Sequence, residues 1–319
     1  MHIESPHPLS PCERAEKASG SDRGRSIIAV SFPANADRVL QALRILLAIV
    51  AGCWLAGGFL PAQAKDGVVR VDLELVLAVD ISRSINTDEQ RLQRAGYVEA
   101  MKSVDFLRAI KSGINGKIAV TYFQWASNYD TDILLPWTII DSRASADAAA
   151  AKLAAAPYRR ARKTSISGAI EKAMSLFENN GYRGLRRVID ISGDGTNNDG
   201  KPVNVARDAA LKQGVVINGL PLMVRPSNFG FSDISNLDEY YEDCVTGGPG
   251  SFVIPIRDRS QFIRATRTKL VMEIASPVPS IQDSFRSGEL PVLRVQARRK
   301  KPRVSCTIGE MMWRQRWGR

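Results

Sequence analysis

The most constraining feature of this chain is an apolar run that ends in a carboxylate. Residues 71–79 are mainly β-branched and aliphatic, with Glu74 as an interruption. Such a run predicts a strand that is covered on both faces, as in a parallel sheet. Asp80 is its last residue, and open α/β sheets bind ligands at the edge where their strands end. The sequence therefore places a carboxylate at a ligand-binding edge.

Two serines follow this carboxylate at alternate positions. In an extended segment, the side-chain oxygens of Asp80, Ser82 and Ser84 point to one side. Hard oxygen ligands, with no nitrogen or sulfur donor, select Mg²⁺, Mn²⁺ or Ca²⁺ over zinc or copper. The alternative is a capping turn before the next helix, a common use of Asp and Ser. The pentapeptide by itself leaves both interpretations open.

Two later segments extend this pattern. Thr164 precedes a helical pattern and is followed by Ser165-Ile166-Ser167-Gly168, and Gly193-Asp194-Gly195 follows a second apolar strand. Glycine permits tight turns and close approach of the backbone to a ligand. The ordered set of three segments resembles the von Willebrand factor A (VWA) domain and its metal-ion-dependent adhesion site. The residues around these segments also resemble a bacterial exported subfamily, the domain of unknown function DUF1194.

The resemblance extends over roughly Asp72 to Ala275 and implies a fold and a site. The implied fold is α/β, a doubly wound and mostly parallel Rossmann-like sheet with helices on both faces. The implied cofactor is a divalent cation, foremost Mg²⁺, with Mn²⁺ or Ca²⁺ as alternatives. One coordination position would remain for an acidic side chain of a protein partner. The residues that match the family's metal ligands are Asp80, Ser82, Ser84, Thr164 and Asp194.

Elementary electrostatics gives the same site a physical logic. Asp80 and Asp194 would repel each other if both were ionised, so the empty site should raise one carboxyl pKa. Three neutral hydroxyls and at most two carboxylates leave a bound cation electrophilic toward anions. This favours binding of a carboxylate over catalysis.

The histidine inventory argues against most enzyme mechanisms. His2 and His7 are the only histidines, and both lie in the leader. The remaining chain therefore lacks the imidazole of Ser-His-Asp, Cys-His or histidine-zinc sites, and we expect no enzyme activity. The alternative is a Mg²⁺-dependent hydrolase or phosphatase-like enzyme that uses Asp80. A dehalogenase-type phosphatase would need a second Asp at Ser82. A third interpretation keeps the motif without any metal.

The first 64 residues are predicted to be a leader with a signal peptide. An apolar core at about residues 45–60 precedes Ala62-Gln63-Ala64, a small-residue pattern typical of signal cleavage before Lys65. We expect export to the periplasm or beyond the cell, with no stable membrane span after cleavage. Because the apolar stretch approaches the minimum spanning length, a membrane anchor through residues 45–60 is the alternative.

The rest of the chain divides into a domain and a tail. Residues 65–276 are predicted to form the VWA-like domain. Residues 277–319 form a basic tail with ten Lys and Arg against three Asp and Glu, which we expect to be unstructured. Given export, no nucleic-acid partner is expected. Cleavage leaves Cys244 and Cys306, which can pair in an oxidising compartment, although a buried free Cys244 is favoured.

Five further expectations concern single segments or residues. The pattern predicts one helix from Asp88 to Ser112, an antiparallel edge strand from Ile133 to Ile140, and a strand from Phe252 to Ile256. Asp190, inside an apolar strand, is interpreted as a buried acid paired with an Arg. Arg83 lies inside the first motif and either steers an acidic partner or is a solvated loop side chain.

Overall fold

The computed structural model describes residues 67–224, 234–275 and 302–317, all within the compact unit Lys65–Arg319. The predicted leader, including the apolar residues 45–60, lies outside the described residues, as do residues 276–301 of the predicted tail. In the part of the chain that is described, no helix combines the length and apolarity of a membrane span.

Strands and helices alternate along the domain. The strands are β1 (Val69–Asp80), β2 (Ile118–Trp125), β3 (Thr131–Ile140), β4 (Tyr182–Gly193) and β5 (Val215–Pro221). The helices are α1 (Thr87–Met101), α2 (Val104–Lys111), α3 (Arg143–Ala155), α4 (Ile166–Leu176), α5 (Val203–Lys212), α6 (Leu237–Tyr240), α7 (Phe262–Ala275) and α8 (Ile308–Trp317). Helix α6 continues into a π-helical turn, Tyr241–Val245, and a 3₁₀ turn, Arg259–Gln261, leads into α7.

The five strands form one sheet in the order β3-β2-β1-β4-β5. The pairs β1–β2, β1–β4 and β4–β5 are parallel, and β3 is an antiparallel edge strand beside β2. The predicted α/β class and the antiparallel edge strand are confirmed. Because β1 and β4 are central, their carboxyl ends bring Asp80 and Gly193 to the middle of one sheet edge.

Side chains of β1 alternate between two apolar cores. Leu75 and Leu77 contribute to a core with α1, α2, α3 and α7, whereas Val76 and Ala78 contribute to a core with α4 and α5. A period of two along a strand sends neighbouring side chains to opposite faces. This explains why the run is apolar at nearly every position: both faces of β1 are covered.

Two local predictions are wrong. The helix expected from Asp88 to Ser112 is two helices, because Ser103 starts a new one by accepting the amide of Phe106 through its hydroxyl at 3.2 Å. The segment Phe252–Ile256 is not a strand and meets β5 and its extension only through isolated bridges. Gly219 and Met223 donate their amides to this segment, but Pro221, which lies between them, has no N–H to donate, so the ladder is interrupted.

A buried ion network joins β4 to α7. Lys269 and Asp190 are both fully buried, with 2.6 Å between the ammonium nitrogen and Oδ1. Glu273, one turn further along α7, also contacts the Lys269 ammonium. The partner of Asp190 is thus a lysine rather than the expected arginine, because α7 presents Lys269 toward the sheet. Burial raises the pKa of Glu273 to about 7, although the Lys269 ammonium opposes this shift.

The expectation of an unstructured tail does not hold for residues 302–317. Cys306 forms a disulfide with Cys244, which corrects the favoured free Cys244. Val304 is buried in the core beside Cys244, and Arg303 pairs with Asp243 at 3.0 Å. The sequence pattern did not predict this segment, because the segment has no apolar periodicity. A disulfide, an ion pair and a single buried valine hold it instead. We call residues 302–317 the C-terminal clasp.

Candidate metal site

A chain of hydrogen bonds links the first and third sequence motifs. Asp80 is fully buried, and its Oδ1 accepts the amide of Ser82 at 2.6 Å. The hydroxyls of Ser82 and Ser84 lie 2.9 Å apart, and Ser84 donates to Oδ1 of Asp194 at 2.6 Å. Four of the five predicted ligands therefore lie along one connected path at the carboxyl ends of β1 and β4.

The loop that carries Thr164 is fixed between these two motifs. The amide of Ala161 donates to the carbonyl of Ile81 at 3.0 Å, which pairs the loop with the first motif. Thr164 accepts from the amide of Asn198 at 2.8 Å and donates its own amide to the Asn198 side chain at 2.9 Å. Thr164 is buried. These contacts position the threonine at the same sheet edge as the other four residues.

The residues after Asp194 tie the second and third motifs together. The Asn197 side chain accepts the amide of Ser167 at 2.9 Å, at the start of α4. Asp199 pairs with Lys163 at 2.6 Å, and the Lys163 ammonium holds the Asp199 pKa below its ordinary value although partial burial opposes this. Lys163 has a φ of 68°, a left-handed conformation uncommon outside glycine. The loop is thus held in a specific shape just before Thr164.

Burial dominates the electrostatics of Asp80. Loss of solvent raises its carboxyl pKa well above the ordinary value, and the negative charge of Asp194 raises it further. The hydrogen bond from the Ser82 amide opposes this shift. The direction agrees with the repulsion argument, but burial is the larger cause. A nearby divalent cation would reverse the shift, because it stabilises the carboxylate form.

Tyr241 completes the base of the site. A side chain on Gly193 would come within 3.0 Å of both Asp80 Oδ2 and the Tyr241 hydroxyl, so glycine is required for this close approach. Burial, followed by the charges of Asp80 and Asp194, raises the Tyr241 pKa well above its ordinary value. Sequence pattern missed this tyrosine, because only the π-helical turn after α6 brings it under the metal motifs.

The donor set suits a hard cation. Among the described residues no group of three or more His, Cys, Asp and Glu side chains converges, so a zinc-type cluster is absent from them. Oδ2 of Asp80 is buried and has no hydrogen-bond partner within the same part of the chain. A buried carboxylate oxygen normally has a partner, and a cation held by Asp80, Asp194 and the three hydroxyls would supply one.

Residues 70–278 match the family described as "Protein of unknown function (DUF1194)". The chain belongs to this family. The DUF1194 prediction is confirmed, and the match covers the sheet, all three motifs and α7. The C-terminal clasp lies beyond it. No curated protein matches the chain.

Several solved structures are similar to the DUF1194 domain. Proximal thread matrix protein 1 from the mussel byssus has a TM-score of 0.46 and 15% identity over 66% of this chain and 47% of that chain. BatB, a conserved hypothetical protein from Bacteroides thetaiotaomicron, has a TM-score of 0.43 and 21% identity over 64% and 100%. A von Willebrand factor type A structure from Catenulispora acidiphila has a TM-score of 0.40 and 15% identity over 64% and 43%. The DUF1194 chain thus covers less than half of the mussel protein.

A cavity with a mixed polar and apolar lining borders the candidate site of the DUF1194 domain. It has a volume of ≈ 240 Å³, and Asp194 lies in its wall together with Ile85, Leu222 and Phe262. These apolar residues form a small cluster of their own, separate from the two main cores. The candidate site is therefore a polar centre with apolar surface on one side.

Proposed function

We propose that this protein is an exported, divalent-cation-dependent protein-binding module. Asp80, Ser82, Ser84, Thr164 and Asp194 would hold the cation, with Mg²⁺ foremost and Mn²⁺ or Ca²⁺ as alternatives. The bound cation would supply an electrophilic centre for a carboxylate of a protein partner. The observation that carries this proposal is the unpartnered buried oxygen of Asp80 beside a continuous path of hydroxyls.

Binding accounts for this geometry better than hydrolysis does. A hydrolase that attacks through Asp80 needs an accessible, ionised carboxylate. Asp80 is fully buried, and burial favours its neutral form. A position buried among hydroxyl donors suits a cation ligand, so we retain the hydrolase only as the competing outcome in tests of Asp80 variants.

The first prediction is that a divalent cation stabilises the mature chain. At one hundred times its dissociation constant, the ion should add about 2.7 kcal/mol, a Tm increase of about 5–10 °C for a chain of this size. The increase follows because the unfolded chain has no assembled site. Thermal unfolding of Lys65–Arg319 in millimolar Mg²⁺, Mn²⁺ or Ca²⁺, against chelator, measures it. Equal Tm values in all four conditions would contradict a working site.

Two variants separate metal binding from folding. Asp80→Asn keeps the oxygen that accepts the Ser82 amide but removes the charge, so it should abolish the Tm increase. Without metal, this variant should be at least as stable as the wild type, because a buried acid is replaced by a neutral group.

Thr164→Ala should remain folded but fail to capture a partner from the exported fraction. A folded variant without metal binding that still captures the partner at full strength would refute the adhesion mechanism.

The disulfide between Cys244 and Cys306 supports export, since disulfides persist in oxidising compartments. We propose that residues 1–64 are the leader and residues 65–276 the domain.

The second prediction is a native N-terminus at Lys65, which intact-mass measurement or N-terminal sequencing tests. Native protein that retains residues 45–64 would instead support the membrane anchor.

A further inference from the structure

Two loops beside the candidate metal site contact each other. Ser82 of the first motif pairs with Ala161 of the loop before Thr164. The Arg160 guanidinium also donates to the carbonyl of Arg83. The basic loop 159–163 is therefore packed along the metal motif, and its charges lie on the same surface.

The charges of this surface are only partly neutralised. Arg159 pairs with Asp130 at 2.6 Å, and Lys163 pairs with Asp199. The three remaining arginines are exposed and have no carboxylate partner within the described residues. We call them the arginine rim: Arg83, Arg160 and Arg162. An exposed Tyr129, 92% accessible, belongs to the same surface and shares an open cavity with Arg162.

We propose that the arginine rim is a docking surface for an acidic polypeptide segment, in which one carboxylate binds the cation and neighbouring carboxylates bind the guanidiniums. This inference rests on the proposed metal-dependent function and names its partner class. Arginine binds carboxylates through paired, charge-assisted hydrogen bonds. A rim that touches the metal motif can thus engage residues next to the metal-bound one.

The mixed charge of the surface favours a polypeptide over a nucleic acid. Asp130 and Asp199 lie among the basic residues and would repel the closely spaced phosphates of a nucleic acid. A peptide can place a few carboxylates over the unpaired guanidiniums and leave neutral residues elsewhere. Tyr129 offers such a segment an aromatic contact of the kind enriched at protein interfaces.

The test uses two peptides and two double variants of the mature chain in Mg²⁺. The peptides are hexaglutamate and a hexamer with one Glu among five Gln, and calorimetry measures their binding. Arg83→Gln with Arg162→Gln removes two rim charges and keeps the contact from Arg160 to the residue 83 carbonyl. Arg70→Gln with Arg183→Gln is the matched control, since these two exposed residues pair at the opposite end of the sheet.

The diagnostic quantity is the loss of hexaglutamate affinity caused by each double variant. Hexaglutamate binds more tightly than the single-Glu peptide through its larger number of carboxylates alone. The affinity of each peptide is therefore compared between the wild type and each variant, and not between the two peptides. The rim variant should lose about tenfold in hexaglutamate affinity, as expected for two exposed ion pairs. Its affinity for the single-Glu peptide should change far less. The control variant should keep the wild-type affinity for both peptides.

Each contrary result has a defined meaning. An unchanged hexaglutamate affinity in the rim variant, or an equal loss in the control, overturns the docking surface. Rim-dependent binding that is tighter to polygalacturonate or to phosphatidylglycerol vesicles overturns the polypeptide partner. Titration of Mg²⁺ alone separates the two proposals. If Mg²⁺ does not bind but hexaglutamate still depends on the rim, the docking surface stands and the metal-dependent function fails.

Discussion

Replacing Lys269 with Met should destabilise the folded protein by about 3–5 kcal/mol, the usual cost of removing one partner of a buried ion pair. The variant leaves Asp190 and Glu273 buried without their cation. Met has nearly the same length as Lys, so packing changes little and the loss reports electrostatics. Urea unfolding followed by circular dichroism measures the difference in the free energy of unfolding.

A neutral version of the same network is the control. Combining Lys269→Met with Asp190→Asn and Glu273→Gln removes every charge of the network and should recover much of the lost stability, because neutral groups are cheaper to bury. If the single variant costs less than about 1 kcal/mol, the network is not a buried ion pair of the usual strength.

The same network predicts a pH dependence. Burial is the largest cause that raises the Glu273 pKa from 4.5 to about 7, and the charge of Asp190 adds to it, while Lys269 opposes it. A raised carboxyl pKa stabilises the fold below the unfolded value, and this contribution is lost as the pH rises through the folded value. Stability without metal should therefore increase as the pH falls from 7 to 5. Glu273→Gln should flatten this increase, and an unchanged slope in that variant would contradict the assignment.

Loss of the disulfide between Cys244 and Cys306 should lower stability by about 2–5 kcal/mol, the usual range for a native bridge. The C-terminal clasp also touches the loop after Asp194, since Glu310 accepts from the Asn197 side chain at 2.7 Å. Release of the clasp removes this support, so Mg²⁺ affinity should fall together with stability. Thermal unfolding and Mg²⁺ titration of oxidised and reduced protein measure both effects.

Two variants distinguish the bridge from the clasp contact. Cys306→Ser should reproduce the reduced state and should no longer respond to reductant. Gly309→Ala keeps the disulfide, but its added methyl group would overlap the Asn197 carbonyl. This variant should weaken Mg²⁺ binding with a smaller loss of stability. Full Mg²⁺ affinity in reduced wild-type protein would show that the clasp does not support the loop after Asp194.

The sequence revealed those features whose cause is local. An apolar run that ends in Asp80 predicts a strand covered on both faces, and three motifs at strand and loop ends predict a shared edge. The break at Ser103 was missed because helical periodicity continues across it, and the capping hydroxyl is its only local signal. Tyr241, Lys269 and the clasp depend on contacts between distant segments. Neither periodicity nor spacing in a single sequence specifies such contacts.

The position of β1 determines how the module would transmit tension. Val69, at the N-terminal end of the described domain, and the candidate ligand Asp80 are the two ends of this one strand. In the alternative in which residues 45–60 anchor the chain, a load between a bound partner and the anchor would run along β1, which pairs with β2 on one side and β4 on the other. Such a load shears both ladders at once instead of opening them bond by bond. Placing the candidate ligand at the end of a central parallel strand would thus protect the fold of the domain against unfolding by such a load.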